Sequence, residues 1–222
     1  MLKEMKYLRY PISIQTFEKI IEGKYAYVDK TDLVYDLAQE NVCFLSRPRR
    51  FGKSLLISTL EAYFTGRKEL FEGLKIDSLE TKWEKYPVFR IDFADGDYTD
   101  SDLLLKKLEE IIGGFEKKYG KSDLYTTLTG RFKYVLELAE EKTGHKAVVL
   151  IDEYDKPMLD VLGTDLEEKN RNILKGFYGT FKSADANLRF VLLTGVTKFS
   201  QISVFSGFNQ PNDISMNSKF DA

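Results

Sequence analysis

The chain has very few of the residues that build disulfides and metal sites. Its 222 residues include one cysteine, Cys43, and one histidine, His145. A single cysteine excludes an internal disulfide and suits a reducing compartment, and one cysteine with one histidine is too small a set of ligands for zinc. We expect Cys43 to be a small apolar residue in the first core strand and His145 to lie in a surface turn.

Long apolar runs and a strong charge of one sign are also missing. No apolar run approaches the ~20 residues needed to span a bilayer, and the charged N-terminus lacks the apolar core of a signal peptide. The net charge of −2 gives no overall attraction to nucleic acid or anionic membranes. The sequence therefore predicts a cytoplasmic protein without a membrane partner, and its length suits a single α/β domain.

One stretch carries a phosphate-binding motif. An apolar run at residues 42–46 precedes the sequence RPRRFGKS at residues 47–54, and a helical pattern starts at Leu55. Strand, loop, Gly-Lys-Ser and helix form the context of a P-loop, in which backbone N–H groups surround phosphates. The usual pattern requires glycine where this chain has Arg47, and a residue with a side chain takes positive φ only at a cost.

We expect Lys53 to bind the outer phosphates and the Ser54 hydroxyl to bind Mg²⁺. The arginines of the loop can hold phosphate oxygens in a bidentate fork, or they can pair with carboxylates of neighbouring elements. The full set of predicted nucleotide contacts in the loop is Arg47, Arg49, Arg50, Phe51, Gly52, Lys53, Ser54 and Leu55.

A second motif supports the first. The apolar residues 147–151 end in Asp152 and Glu153, which indicates a buried parallel strand with acids at its C-terminal tip. In P-loop ATPases an acid at this place orients Mg²⁺, and a neighbouring glutamate can polarise the attacking water. Asp152 is therefore the candidate metal ligand and Glu153 the candidate general base. A salt bridge from Glu153 to a loop arginine is the alternative.

Apolar strands alternate with amphipathic helices along the chain. Helices are predicted at residues 13–21, 31–38 (capped by Thr31 or Asp32), 53–64, 101–118, 122–142 and 166–182, and strands at 42–46, 88–93, 147–152, 188–194 and 212–216. The alternation predicts a P-loop NTPase fold, a three-layer α/β/α sandwich with a mostly parallel five-stranded sheet. Ligands of such sheets bind beyond the C-terminal tips of the strands.

Further polar residues follow these strand tips. Thr194 and Thr197 are candidates to sense the γ-phosphate or to hold the attacking water; a plain strand-end hydroxyl is the alternative for each. Asp155 and Lys156 lie just past the third strand, near the expected position of the γ-phosphate or of a partner.

The chain resembles the bacterial AAA-ATPase-like family over nearly all of its length. The resemblance is carried by PISIQTF at residues 11–17, YVDKT at 27–31, FLSRPRRFGKS at 44–54, IDEYDKP at 151–157 and LTGVTKFS at 193–200. It implies binding of ATP by the Gly-Lys-Ser loop, with Asp152 and Glu153 as the acidic pair. It also implies that the segment containing Tyr27 and Asp29 lies near the adenine, and that Arg47 is typical of the family.

Members of this family continue into a helical region and often carry a C-terminal PD-(D/E)XK nuclease domain. The sequence stops at Ala222, so we expect one domain without a lid or nuclease domain, as an excised piece or a natural short form. Within it, residues 1–40 form an adenine-side segment and residues 41–222 the α/β core.

Three functions are consistent with these motifs. The first is a Mg²⁺-dependent ATP-binding domain with slow hydrolysis, and the second is a nucleotide-gated interaction module that switches a protein partner or a nuclease domain. The third is a DNA-binding defence component, favoured by the basic loop but opposed by the acidic net charge. ATP or ADP is the expected ligand, since no guanine-reading Asn-Lys-x-Asp motif is evident, and assembly into oligomers is compatible with AAA-type relatives.

Overall fold

Helices and strands alternate through residues 9–100, 102–198 and 211–220, which are the residues described in the computed structural model. The helices are α1 (Phe17–Glu22), α2 (Thr31–Leu37), α3 (Lys53–Phe64), α4 (Leu103–Tyr119), α5 (Leu128–Thr143), α6 (Lys156–Leu159) and α7 (Glu167–Ser183). The strands are β1 (Val42–Ser46), β2 (Val88–Asp92), β3 (Ala147–Asp152), β4 (Leu188–Gly195) and β5 (Asn212–Asp213). Short 3₁₀ turns lie at Lys68–Leu70, Lys75–Ser78, Asp185–Asn187 and Ser218–Phe220.

The five strands form one sheet in the order β2-β3-β4-β1-β5. Every neighbouring pair is parallel, and helices lie between β1 and β2, between β2 and β3 and between β3 and β4, as the crossovers of parallel strands require. The three central strands are almost wholly buried, as expected of parallel strands covered on both faces. The predicted three-layer α/β/α architecture is confirmed.

Successive side chains of the strands alternate between two cores. Phe44 joins the core under α4, α5 and α7, whereas its neighbours Cys43 and Leu45 join the core under α1, α2 and α3. This period of two follows from the pleat of a β-strand. Cys43 is therefore a core residue, and burial raises the pKa of its thiol to about 12, so it is not a reactive thiolate near neutral pH.

Three predicted boundaries are wrong. The helix predicted at 122–142 begins only at Leu128, because the Thr127 hydroxyl caps it by accepting a hydrogen bond from the amide of Gly130 at 3.1 Å. The helix predicted at 13–21 begins at Phe17, since Ser13 has φ +62°, which a right-handed helix excludes. The fifth strand has two residues rather than five, because a turn follows at Ser215 and Met216.

Candidate functional site

The strand register brings the two predicted motifs to one edge of the sheet. Leu45 pairs with Thr194, and Ser46 with Gly195, so the loop after β1 starts beside the tip of β4. On the other side of β4, Ile151 pairs with Leu193. Asp152 and Glu153 therefore lie at the same edge as the loop that carries the Gly-Lys-Ser motif, with β4 between them.

The loop does not need glycine at Arg47. The Arg47 amide donates to the carbonyl of Gly195 at 3.1 Å, so this residue extends the pairing of β1 with β4. Positive φ occurs later in the loop, at Arg50 (+69°) and Gly52 (+75°). Gly52 is the favourable place for it, because a left-handed residue without a Cβ carries no steric penalty. The doubt raised by the missing glycine is thereby removed.

Lys53 is a buried cation whose hydrogen-bond partners are two carbonyls of its own loop. Its side chain is 7% exposed, and its ammonium donates to the carbonyls of Arg47 at 2.9 Å and Pro48 at 3.1 Å. Burial lowers its pKa, while the nearby Asp152, Glu153 and Asp155 act to raise it. No carboxylate among the described residues forms an ion pair with it. An anion that binds at this loop would therefore be attracted by a positive charge that is poorly solvated.

Asp152 is held from one side. It is 1% exposed, and its Oδ1 accepts hydrogen bonds from the Thr194 hydroxyl at 2.6 Å and the Glu153 amide at 3.1 Å. In the described parts of the chain no donor is bonded to Oδ2. Thr194 is itself fully buried, so its hydroxyl fixes the direction of the carboxylate.

Glu153 follows β3 in an uncommon backbone conformation. Its φ is +50°, in the left-handed region that costs a non-glycine residue about 1–2 kcal/mol. Burial and the charge of Asp152 raise the pKa of its carboxyl, and Lys53 opposes that shift. Within the described ranges the salt bridge between Glu153 and a loop arginine is not formed, although the charge of Arg49 reaches it.

The strain at Glu153 makes a prediction about stability. Glu153→Gly is expected to be more stable than Glu153→Ala by about 1 kcal/mol, because only glycine relieves the left-handed backbone. For a chain of this size that difference corresponds to about 2–4 °C in Tm. Thermal unfolding of the two variants measures it directly. Equal melting temperatures would show that residue 153 is not held left-handed in solution.

Hydrogen bonds within the protein occupy the side chains of Thr197, Asp155 and Lys156. The Thr197 hydroxyl donates to Asp155 Oδ2 at 2.7 Å, and the Lys156 ammonium donates to the carbonyl of Gly96 at 2.8 Å. Lys156 also pairs with Asp160, so its side chain is tied to its own helix and to the loop after β2. The Thr194 and Thr197 hydroxyls therefore face carboxylates at the strand tips.

A cavity of about 560 Å³ opens beside the loop. Tyr27, as expected from the resemblance, lines it together with the loop residues Arg47, Phe51, Gly52 and Leu55. Most of its other walls are apolar or aromatic: Tyr10, Pro11, Ile20, Ala26, Val28, Leu33, Val34, Leu37, Leu45, Leu56, Ile214 and Phe220. Tyr10, Pro11, Ile214 and Phe220 were not predicted, because they come from opposite ends of the chain and no local pattern marks them.

Asp29 does not line this cavity. Its Oδ1 accepts hydrogen bonds from the Thr31 amide at 2.9 Å and the Thr31 hydroxyl at 2.7 Å. Its Oδ2 accepts one from the Lys75 amide at 2.8 Å. Lys30 is the N-cap of α2 in place of the predicted Thr31 or Asp32, and Asp29 braces this start of the helix from the preceding position. The role of Asp29 as a nucleotide contact stays a prediction.

Comparison with known proteins agrees with this geometry. The family described as a predicted AAA-ATPase matches residues 11–205. The chain belongs to this AAA-ATPase-like family. It is also similar to a curated protein of Azotobacter chroococcum mcd 1, described as an uncharacterized protein in the vnfD 5′ region, with 41% identity over 215 residues. That match covers 96% of the chain but 42% of the relative, so the chain spans less than half of the relative's length. No solved structure matches.

The remaining predicted contacts of this AAA-ATPase-like chain lie around the loop. Ser54 is the second residue of α3 and is half-buried, next to Lys53, whereas Arg49 and Arg50 are exposed. Arg49 is close enough to act on the charges of both Lys53 and Glu153. The structure thus gathers the basic loop and the acidic strand tip around one region.

The described residues offer neither a cluster of metal ligands nor a helix that could span a membrane. Among the described residues no group of three or more histidine, cysteine, aspartate or glutamate side chains is placed to hold a metal ion. Over the same parts of the chain, every helix is too short or too polar to cross a membrane.

Proposed function

We propose that this chain is a Mg²⁺-dependent ATP-binding domain that hydrolyses ATP slowly. The observation that carries the proposal is the buried ammonium of Lys53, which among the described residues is hydrogen-bonded only to loop carbonyls and lies near two carboxylates at a strand tip. A buried cation without an ionic partner is costly, and phosphate oxygens supply the missing negative charge. Membership of a predicted AAA-ATPase family supports the same conclusion.

The loop residues have separate roles in this proposal. Backbone amides from Gly52 to Leu55 surround the phosphates at the start of α3, where the helix dipole favours an anion. Lys53 binds the outer phosphates. Arg49 and Arg50, both exposed at the loop, add bidentate donors for phosphate oxygens. Arg47 is half-buried and contacts the carbonyl of Phe220, so we assign it to the wall of the cavity.

Ser54 and Asp152 would hold Mg²⁺. The protein offers few metal ligands here, which suits an ion that keeps several waters and takes phosphate oxygens as ligands. Asp152 fits this role because Thr194 fixes its Oδ1 and no described donor is bonded to its Oδ2. When bound, the ion neutralises charge on the phosphates.

Glu153 is the proposed general base. Its carboxyl lies next to Asp152 at the strand tip, and burial makes it a better proton acceptor than an exposed glutamate by raising its pKa. Thr194 acts through Asp152 as a positioning residue, and Thr197 acts through Asp155. Both threonines therefore serve the reaction by ordering carboxylates.

The apolar cavity is the proposed site for the base. Its aromatic walls favour stacking of a purine, and among the described residues that line it only Lys30 and Arg47 are charged. This described lining contains no acidic side chain to accept the N–H groups of guanine, which favours adenine. Phe51 is 63% exposed and Tyr10 79% exposed at this cavity, so both rings are open to the ligand.

Phe51→Ala is expected to weaken binding of ATP and of AMP by about tenfold, because a base loses an aromatic contact of about 1–3 kcal/mol. Binding of inorganic tripolyphosphate is expected to stay the same, since it has no base. Titration calorimetry with the three ligands separates these effects. An equal loss for tripolyphosphate would mean that Phe51 shapes the phosphate loop instead.

Phosphate release tests the enzymatic part of the proposal. Purified chain incubated for hours with ATP and Mg²⁺ should release phosphate, and EDTA should stop the release. Tight ATP binding without release would favour a nucleotide-gated interaction module, which could control a partner such as a nuclease domain in longer relatives. The exposed Tyr10, Val28 and Phe51 around the cavity favour that second function, because a bound base would change this apolar surface.

A further inference from the structure

The residues that follow β3 (153–155, the tail of β3) run beside the end of β4 and the residues after it (194–197, the tail of β4). One residue of the first segment, Glu153, does not take part in the pairing. After Asp152 the pairing of the two strands is interrupted at Glu153 and resumes at once, since the Tyr154 amide donates to the carbonyl of Thr194 at 3.0 Å. Glu153 is thus a single-residue outward turn with positive φ. Such a conformation persists only where its surroundings fix the residues on both sides.

Asp155 fixes the far side of this turn. It is 1% exposed, and its Oδ2 accepts three hydrogen bonds from the tail of β4. The donors are the Val196 amide at 2.9 Å, the Thr197 amide at 2.7 Å and the Thr197 hydroxyl at 2.7 Å. Hydrogen bonds to an ionised acceptor are the strong ones. The Tyr154 hydroxyl adds a contact to the carbonyl of Thr197 at 3.2 Å.

Gly195 allows the two tails to approach so closely. A Cβ at this position would lie 2.6 Å from Asp155 Oδ1 and 2.4 Å from the ring of Tyr154, which is closer than such atoms can pack. The absence of a side chain at Gly195 and the carboxylate of Asp155 therefore form one clamp. It adjoins the phosphate loop, because the Gly195 carbonyl accepts a hydrogen bond from the Arg47 amide.

We propose that Asp155 is a positioning residue that clamps the tail of β3 to the tail of β4, and so holds Glu153 left-handed with its carboxylate directed for catalysis. Thr194 fixes the near side through Asp152, and Asp155 fixes the far side. The catalytic consequence rests on the proposed ATP hydrolysis, whereas the conformational one does not.

The first test separates turnover from binding. Asp155→Ala is expected to lower the rate of phosphate release at saturating ATP at least tenfold, with the Kd for ATP within about threefold of the parent. Asp155→Asn keeps an oxygen acceptor for the same donors, so its loss should be intermediate. Gly195→Ala should reproduce the loss without altering any carboxylate. Ile112→Val, a core change under α4, lowers stability alone and should leave the turnover rate at saturation unchanged.

The second test needs no turnover. In the parent, Glu153→Gly should melt about 2–4 °C above Glu153→Ala. In the Asp155→Ala background, and again in the Gly195→Ala background, that difference should vanish or reverse, because residue 153 can relax. A difference that persists in full in both backgrounds would overturn the role of Asp155. If the parent releases no phosphate but the difference vanishes, hydrolysis is refuted while the clamp stands.

Discussion

Replacement of Lys53 by methionine is expected to remove ATP binding and to raise the melting temperature of the nucleotide-free chain. The ammonium of Lys53 is buried, and within the described ranges it is hydrogen-bonded only to two loop carbonyls, so its charge is available to phosphates. Its loss should weaken ATP binding at least 100-fold, or about 3 kcal/mol. Methionine keeps the length of the side chain and removes a desolvated charge, which should add about 2–4 °C to Tm.

Lys106→Met is the matched control for this experiment. Lys106 lies on α4 and is exposed, so neither the affinity for ATP nor the melting temperature should change. If Lys53→Met bound ATP as tightly as the parent, the phosphate site would lie elsewhere. If it bound weakly and also melted at a lower temperature, the buried ammonium would be stabilising the empty loop, contrary to the cost inferred from its burial.

Glu153→Gln is expected to lower the rate of phosphate release by about 10²–10⁴-fold, the range over which a positioned general base contributes. The Kd for ATP should change little, because the amide has the same shape and Lys53 still supplies the phosphate contact. Release of phosphate under saturating ATP measures the first effect and calorimetry the second.

An exposed glutamate provides the control for Glu153. Glu141→Gln, near the end of α5, should leave both release and binding unchanged. If Glu153→Gln retained most of the parent rate, another carboxylate would have to activate the water. Asp152 would then be tested next, since it is the nearest acid at the same strand tip.

Much of the fold could be predicted because its central strands are continuous apolar runs. Such runs end where the buried strand ends, which is how Asp152 and Thr194 were placed at the edge of the sheet. The start of α5 could not be predicted in this way. Leu124 lies within the helix predicted at residues 122–142, but it is 89% exposed, and the cap at Thr127 decides where the helix begins.

The site could be predicted only where local motifs define it. The loop around Lys53 and the acids after β3 are contiguous in sequence, so their chemistry was visible. The cavity is not, because Tyr10 and Phe220 come from opposite ends of the sequence and are brought to one lining by the fold. The bracing contact of Asp29 could not be predicted for a related reason: proximity to Tyr27 in sequence says nothing about the Lys75 amide, which the carboxylate of Asp29 binds from a distant turn.

The glycine expected at Arg47 shows how a motif can mislead in its details. The pattern implied that positive φ was needed there, but the structure has it at Arg50 and Gly52. The backbone conformation of the loop depends on the contacts of several of its residues, including the hydrogen bonds from Lys53 to the carbonyls of Arg47 and Pro48. The residue type at one position therefore does not determine it. The same limit applies to Glu153, whose left-handed turn is set by contacts with the tail of β4.

Titration of the purified chain with ATP in the presence of Mg²⁺, followed by calorimetry, tests the central claim most directly. The account predicts saturable binding of one ATP per chain that is lost in Lys53→Met and retained in Glu153→Gln. Absence of binding by the parent, or binding that survives Lys53→Met, would contradict the assignment of this loop and strand tip as a nucleotide site.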